Sequence, residues 1–221
     1  MATADEVLAG MAVNLRGASS ALAEWADALD AIGAPDDAPA MTLYSMRDRR
    51  WRDQVYAGGV TFGEAGCYIT CVAMIASIAG VVDEPPEVAW RLRKALCFDG
   101  AYLTRPQNIP IEYPYLRYDG PMDVTHDGEL RWHDCIADIG RVRAELEDGP
   151  VIMEVDFIPV TKGFNQHFVV AEAMTPDGDD ILIADPWDGS CTRLLERYAL
   201  PEHEWKLARA VYGLRLLRVA G

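Results

Sequence analysis

"GCYITCVAMIAS", residues 66–77, sets two cysteines four apart at the head of an apolar run that meets no glycine or proline until Gly80. The run predicts a buried helix from Cys67 to Ala79, stopped by Gly80. Cys67 follows Gly66 directly, so its thiol falls at the helix N-terminus, where the partial positive charge of the peptide dipoles favours a thiolate. Cys71 lies one turn further in on the same face, where burial is expected and the dipole acts more weakly. A buried cysteine is also an ordinary core residue, so the rest of the chain has to separate a nucleophile from a packing group.

Downstream, "PPEVAWRLRKAL" (85–96) predicts a second helix with proline in its first turn. Residues 98–134, rich in Gly, Pro, Asp and aromatics, are expected to be irregular surface chain. "IADIGRVRAELEDG" (136–149) predicts a third helix with glycine at its end. The pattern then changes to short β-branched segments between turn clusters: "PVIMEVDF", "HFVVAEAM", "DILIADP" and a last strand "VYGLRLLRV" (211–219). Helices first and strands later is an α+β arrangement.

Upstream, Leu8, Met11, Leu15, Ala18, Leu22, Trp25, Leu29 and Ile32 recur at spacings of three and four, predicting a helix over 5–32 with a heptad-like seam. That seam docks on its own domain or serves another chain, by self-association or attachment to an assembly. "GAPDDAPA" (33–40) reads as a linker. The expected division is therefore a helical arm and linker over 1–40 and a second domain over 41–221.

With 221 residues, half of them hydrophobic, the chain can bury one good-sized core. No apolar run is long enough for a membrane span. The start, "MATADEVLAGMAVNLRG", carries Asp5 and Glu6 where a secretory signal wants basic residues, so no signal peptide is expected. A net charge of −15 argues against a broad nucleic-acid-binding surface. Five cysteines, an odd number without secretory cues, point to a reduced compartment rather than a disulfide scaffold. The expected location is the cytoplasm, or a virion or secreted assembly reached without a signal peptide.

A cysteine nucleophile needs a base. His126 in "VTHDGE" and His133 in "RWHDC" fall in the irregular region, and His203 in "PEHEW" looks like a solvated helix start. His167 opens the strand "HFVVAEAM" after the turn-like "TKGFNQ", at an edge from which an imidazole can face a cleft. Asp185 closes the strand "DILIADP" before Pro186, and two adjacent antiparallel strands would bring it to the end of the sheet that holds His167. There a carboxylate can accept the imidazole N–H and fix its tautomer. Gln54 in "RWRDQVY" is the candidate oxyanion donor beside the Cys67 N–H, a contribution of about 3 kcal/mol where such a donor acts. The order Gln, Cys, His, Asp is papain-like.

Gln54, "GCYITCVAM" (66–74), "GPVIMEV" (149–155), "NQHFVV" (165–170) and "DPWDG" (185–189) also resemble a family. The resemblance is to the double-glycine leader peptidases, the bacteriocin-processing cysteine peptidases, and more closely to their stand-alone relatives in bacteria and phages. That family's pattern is a glutamine, then Gly-Cys-Gly-Pro-Thr-Ser and an Ala-Met helix, a Gly-Pro-Val-Ile-like strand, Gly-His-Phe-Val-Val and Asp-Pro-Trp. The likeness covers roughly residues 50–190. It implies a papain-like fold, with a nucleophile-bearing helix packed on an antiparallel sheet. It also implies Cys67 as nucleophile, His167 as general base, Asp185 as its orienter and Gln54 in the oxyanion hole, with no metal or organic cofactor. Tyr68 and Ile69 depart from the family's Gly-Pro, and Gln166 stands where glycine precedes the histidine. These changes bear on substrate preference, Tyr68 by narrowing the cleft.

The expected activity is hydrolysis of an amide bond in a peptide through an acyl-enzyme. Two other readings share the same residues: a peptidoglycan-peptide hydrolase, and a catalytically silent papain-like module within a larger, phage-like assembly. A zinc site from His126, His133, Cys135 and Cys97 uses suitable ligand types but lacks a CxxC spacing.

Overall fold

The computed structural model describes residues 40–122, 136–158, 165–198 and 206–220. The expected helix over 5–32 with its seam, nearly all of the linker, and His126, His133, Cys135 and His203 lie outside the described residues.

The architecture is α+β. Its centre is a six-stranded sheet of β5 (Leu116–Met122), β10 (Gly213–Val219), β6 (Val151–Asp156), β7 (Gln166–Met174), β8 (Ile181–Asp185) and β9 (Ser190–Arg193), in that order across the sheet. Every pairing in it is antiparallel. Two small hairpins, β1 (Val55–Ala57) with β2 (Val60–Thr61) and β3 (Phe98–Asp99) with β4 (Tyr102–Leu103), lie outside that sheet.

A short helix α1 (Phe62–Ala65) runs into α2 (Cys67–Ile78), followed by α3 (Pro85–Lys94), which has proline in its first turn. Further along come α4 (Ile109–Glu112), α5 (Ile139–Glu147) and α6 (Leu194–Tyr198). The Asp138 carboxylate caps α5, accepting from the Arg141 N–H at 3.3 Å.

The core lies on both faces of the sheet. One face gathers α2 and α3 against Ile152, Phe168, Val170, Ala184 and Leu217. The other gathers α5 and α6 against Val151, Met153, Val155, Val169 and Ile183. On β6 successive residues therefore point to opposite apolar layers. That double burial explains why "VIMEV" and "FVVA" read as continuous apolar runs rather than alternating ones. Eleven of the twelve residues of α2 are buried, so this helix is the floor of its layer.

Of the stretch 98–134 expected to be irregular surface chain, the described residues 98–122 differ from that expectation. They contain the β3–β4 hairpin, α4 and the edge strand β5, "LRYDGPM". Gly120 and Pro121 obscure β5 in sequence, but both are tolerated there because only β10 pairs with it. Gly120 sits at φ +107, beside a register irregularity between Arg215 and Leu217. The half-exposed β9 and the short α6 give little periodic signal and were not expected.

Candidate active site

Gly66 is where the site begins. It ends α1 and caps α2, donating its N–H to the Phe62 carbonyl at 2.8 Å. A Cβ there would stand 2.7 Å from the Phe62 oxygen and 2.9 Å from Phe62 Cδ1, so only glycine lets the two helices meet this closely. The joint leaves Cys67 as the first residue of a twelve-residue helix. Gly66 offers no side-chain cap, and the first-turn amides have no acceptor within the helix itself. Cys67 is 9% exposed and lines a cavity of about 580 Å³ together with His167.

The sheet register supplies the other two groups. Val170 opposite Ala184 makes Val169 the next position opposite Asp185. His167 lies two residues further along β7, on the same face and diagonal to the carboxylate. The His167 Nε2–Asp185 Oδ1 distance is 3.0 Å, with both groups buried. The Cys67 thiol is in hydrogen-bonding reach of the same imidazole. With Nε2 engaged by Asp185, Nδ1 is the ring nitrogen left for sulfur. α2 packs on the opposite face of β7 and meets His167 at the strand's end, so the thiol and the imidazole come from different layers.

Burial disfavours the charged imidazole, but the hydrogen bonds to Asp185 and Cys67 outweigh it and raise His167 to about 9. Burial likewise opposes ionisation of Asp185, yet its hydrogen bonds, first that from His167, hold it down to about 2. Between those limits the pair is imidazolium and carboxylate. Its surroundings are aromatic: the Phe157 ring is 5.0 Å and the Tyr198 ring 5.8 Å from the imidazole, and Trp187 packs 4.5 Å from Phe157.

The two cysteines of α2 differ sharply. Cys71 is fully buried, its Sγ 3.4 Å from the Phe168 carbonyl, and burial pushes its thiol well above the ordinary value. Cys97 is raised to about 11 and Cys191 to about 12, each first by burial. Among the described cysteines only Cys67 lies beside His167.

Gln54 is not brought to this cavity. It is exposed, and its amide Nε2 donates to the Arg50 carbonyl at 2.7 Å. The cause is local. Residues 48–54 form successive turns, with Trp51 N–H to Asp48 O at 3.0 Å and Gln54 N–H to Trp51 O at 2.8 Å, which carry the side chain over the carbonyl four residues back. In its place the cavity holds Gln166, whose amide donates to Glu154.

Tyr68 lines this cavity next to Cys67. It stacks on Phe168 with centroids 4.6 Å apart and also lines a second cavity of about 500 Å³. Both cavities share Tyr68, Leu103, Thr104 and Arg215. Arg215 pairs with the buried Glu154 at 2.8 Å.

Sequence reasoning missed the residues that hold Asp185. Its Oδ2 accepts from Arg197 Nη1 at 2.6 Å and from the Tyr198 hydroxyl, while Oδ1 also accepts the Trp187 N–H at 2.8 Å. In sequence, "ERY" after a weak strand looks like a solvated helix turn. The segment before α1 then straps the Asp-Pro-Trp turn. Met46 N–H donates to Pro186 O at 2.6 Å, and Ser45 Oγ donates to Trp187 O at 3.0 Å.

Among the described residues no group of three or more His, Cys, Asp or Glu could hold a metal ion, and no helix is long and apolar enough to cross a membrane. Of the proposed zinc ligands only Cys97 is described, and it is fully buried. No family model matches the chain, and a search of curated proteins finds no match.

Proposed function

We propose that this chain is a papain-like, thiol-dependent amide hydrolase acting on peptides, with Cys67 as nucleophile, His167 as proton carrier and Asp185 as the group that orients the imidazole. The observation that carries the reading is the continuous chain from a thiol at a helix start, through a buried imidazole, to a buried ionised carboxylate, at the wall of an open cavity. An imidazole beside the sulfur can take the thiol proton as the sulfur attacks.

Attack of Cys67 Sγ on a peptide carbonyl forms a tetrahedral oxyanion, for which the backbone amides at the start of α2, with no side-chain cap, serve as donors. His167 then gives its Nδ1 proton to the leaving amine as the C–N bond breaks and a thioester forms. Water attacks the thioester with the imidazole as general base, releasing the acid and restoring the thiol. Asp185 keeps Nε2–H as the second ring proton throughout, so the ring presents Nδ1 to the reaction.

The cavity volume suits several side chains of an extended peptide, and its mouth carries the exposed Tyr102. The test is mass spectrometry of the full chain incubated with unfolded protein or with purified peptidoglycan. The proposal expects substrate cleavage and a thioester adduct on Cys67 that is absent from Cys67→Ala. Cleavage of wall peptides alone would move the substrate to peptidoglycan. Neither cleavage nor adduct would favour the silent module, a reading that the outward-turned Gln54 supports.

A further inference from the structure

Asp185 receives more hydrogen bonds than orienting one imidazole requires. His167 Nε2 and the Trp187 N–H approach Oδ1 at 3.0 and 2.8 Å, and Arg197 Nη1 at 2.6 Å and the Tyr198 hydroxyl approach Oδ2. Four donors fill the carboxylate's lone-pair sites, so it cannot rotate away from the ring. Arg197 is held from the other side, its Nη1 3.2 Å from Asp188 Oδ1 and 3.3 Å from Ser190 Oγ, with Nη2 on Asp188 Oδ2. A guanidinium charge thus stands directly behind the carboxylate that His167 faces.

We propose that Arg197 is a positioning residue that sets the proton affinity of His167 through Asp185. This rests on the triad reading above. A lone buried carboxylate would hold the imidazolium proton tightly and make His167 a poor acid toward a leaving amine. The charge of Arg197 partly cancels the carboxylate's field at the ring while leaving its geometry fixed.

The other groups facing His167 are Cys67 from α2, Tyr198 from α6, and the uncharged rings of Phe157 and Trp187. Cys71 lies one turn beyond Cys67, Asp188 lies beyond Arg197, and Arg215, paired with Glu154, lines the same cavity. Of these charged groups only Arg197 touches Asp185.

The experiment follows the His167 ring by NMR through a pH titration of the full chain, assigned with His167→Asn, in the native protein, Arg197→Gln and Arg197→Lys. Gln keeps an N–H donor for Oδ2 without the charge, so His167 should titrate about one pH unit higher. Lys keeps the charge and should restore the native midpoint. A merely structural ion pair would lower the melting temperature of Arg197→Gln and leave the midpoint in place, which overturns the proposal and spares the triad. An ordinary His167 midpoint in the native protein, with Cys67 unreactive below neutral pH, overturns both. If Arg197→Gln does not fold, Asp188→Asn probes the same link: the guanidinium then faces Asp185 alone and the midpoint falls. An unmoved midpoint there also overturns the proposal.

Discussion

Asp185 concentrates the polar contacts of the site on one fully buried carboxylate. An orienting role alone would let Asp185→Asn fold normally. Here the asparagine amide would point N–H groups at other donors and leave the Arg197 charge without its buried partner. We predict a loss of about 3 kcal/mol in stability, read by denaturant melts, together with loss of Cys67 reactivity. Cys71→Ala is the contrasting change. It removes a sulfur from a filled core position, should cost about 1 kcal/mol, and should leave alkylation of Cys67 unchanged. Loss of the reactive thiol in Cys71→Ala but not in Cys67→Ala would show that the two thiols had been assigned the wrong way round.

At the scale of elements, the α1–Gly66–α2 joint decides where the thiol sits. Gly66→Ala puts a methyl group against the Phe62 backbone, so the start of α2 must shift. The expected cost is about 2 kcal/mol, and the alkylation rate of Cys67 should fall even in the folded fraction. Normal reactivity in folded Gly66→Ala would mean that the helix start does not govern the thiol.

The start of α2 was legible in sequence because "GC" precedes an unbroken apolar run, whereas the four-residue α1 before it carries no periodicity. The pairing of His167 with Asp185 was legible because two apolar strands end in polar residues at matching offsets. Gln54 was misplaced because a glutamine thirteen residues before a cysteine carries no information about the turn that redirects its amide. Arg197 and Tyr198 were invisible because five-residue helices have no periodicity and a charged pair reads as surface. β5 was hidden by Gly120 and Pro121, residues that an edge strand tolerates and a central strand does not.

For the whole molecule, the buried pair links folding to pH. His167 rises from 6.5 to about 9, so its contribution is fully present below pH 6.5 and is lost as pH climbs through 9. Asp185 falls from 3.8 to about 2, so its contribution is present above pH 3.8 and is lost as pH drops through 2. Native stability should decline by on the order of 3 kcal/mol between neutral and strongly alkaline pH from His167 alone. His167→Asn should lack that part of the decline in pH-dependent urea melts. Parallel curves for the two proteins would mean that His167 does not gain its proton affinity from folding.

Whether Cys67 is an activated thiol, set apart from the fully buried Cys71 and Cys97, is decided by the pH dependence of iodoacetamide labelling in the native chain, with every cysteine assigned by mass spectrometry. Labelling of Cys67 should persist well below pH 7 and disappear in His167→Ala, with Cys71 and Cys97 protected throughout. Labelling of Cys67 only near the pH of a free thiol, and indifferent to His167, would contradict it.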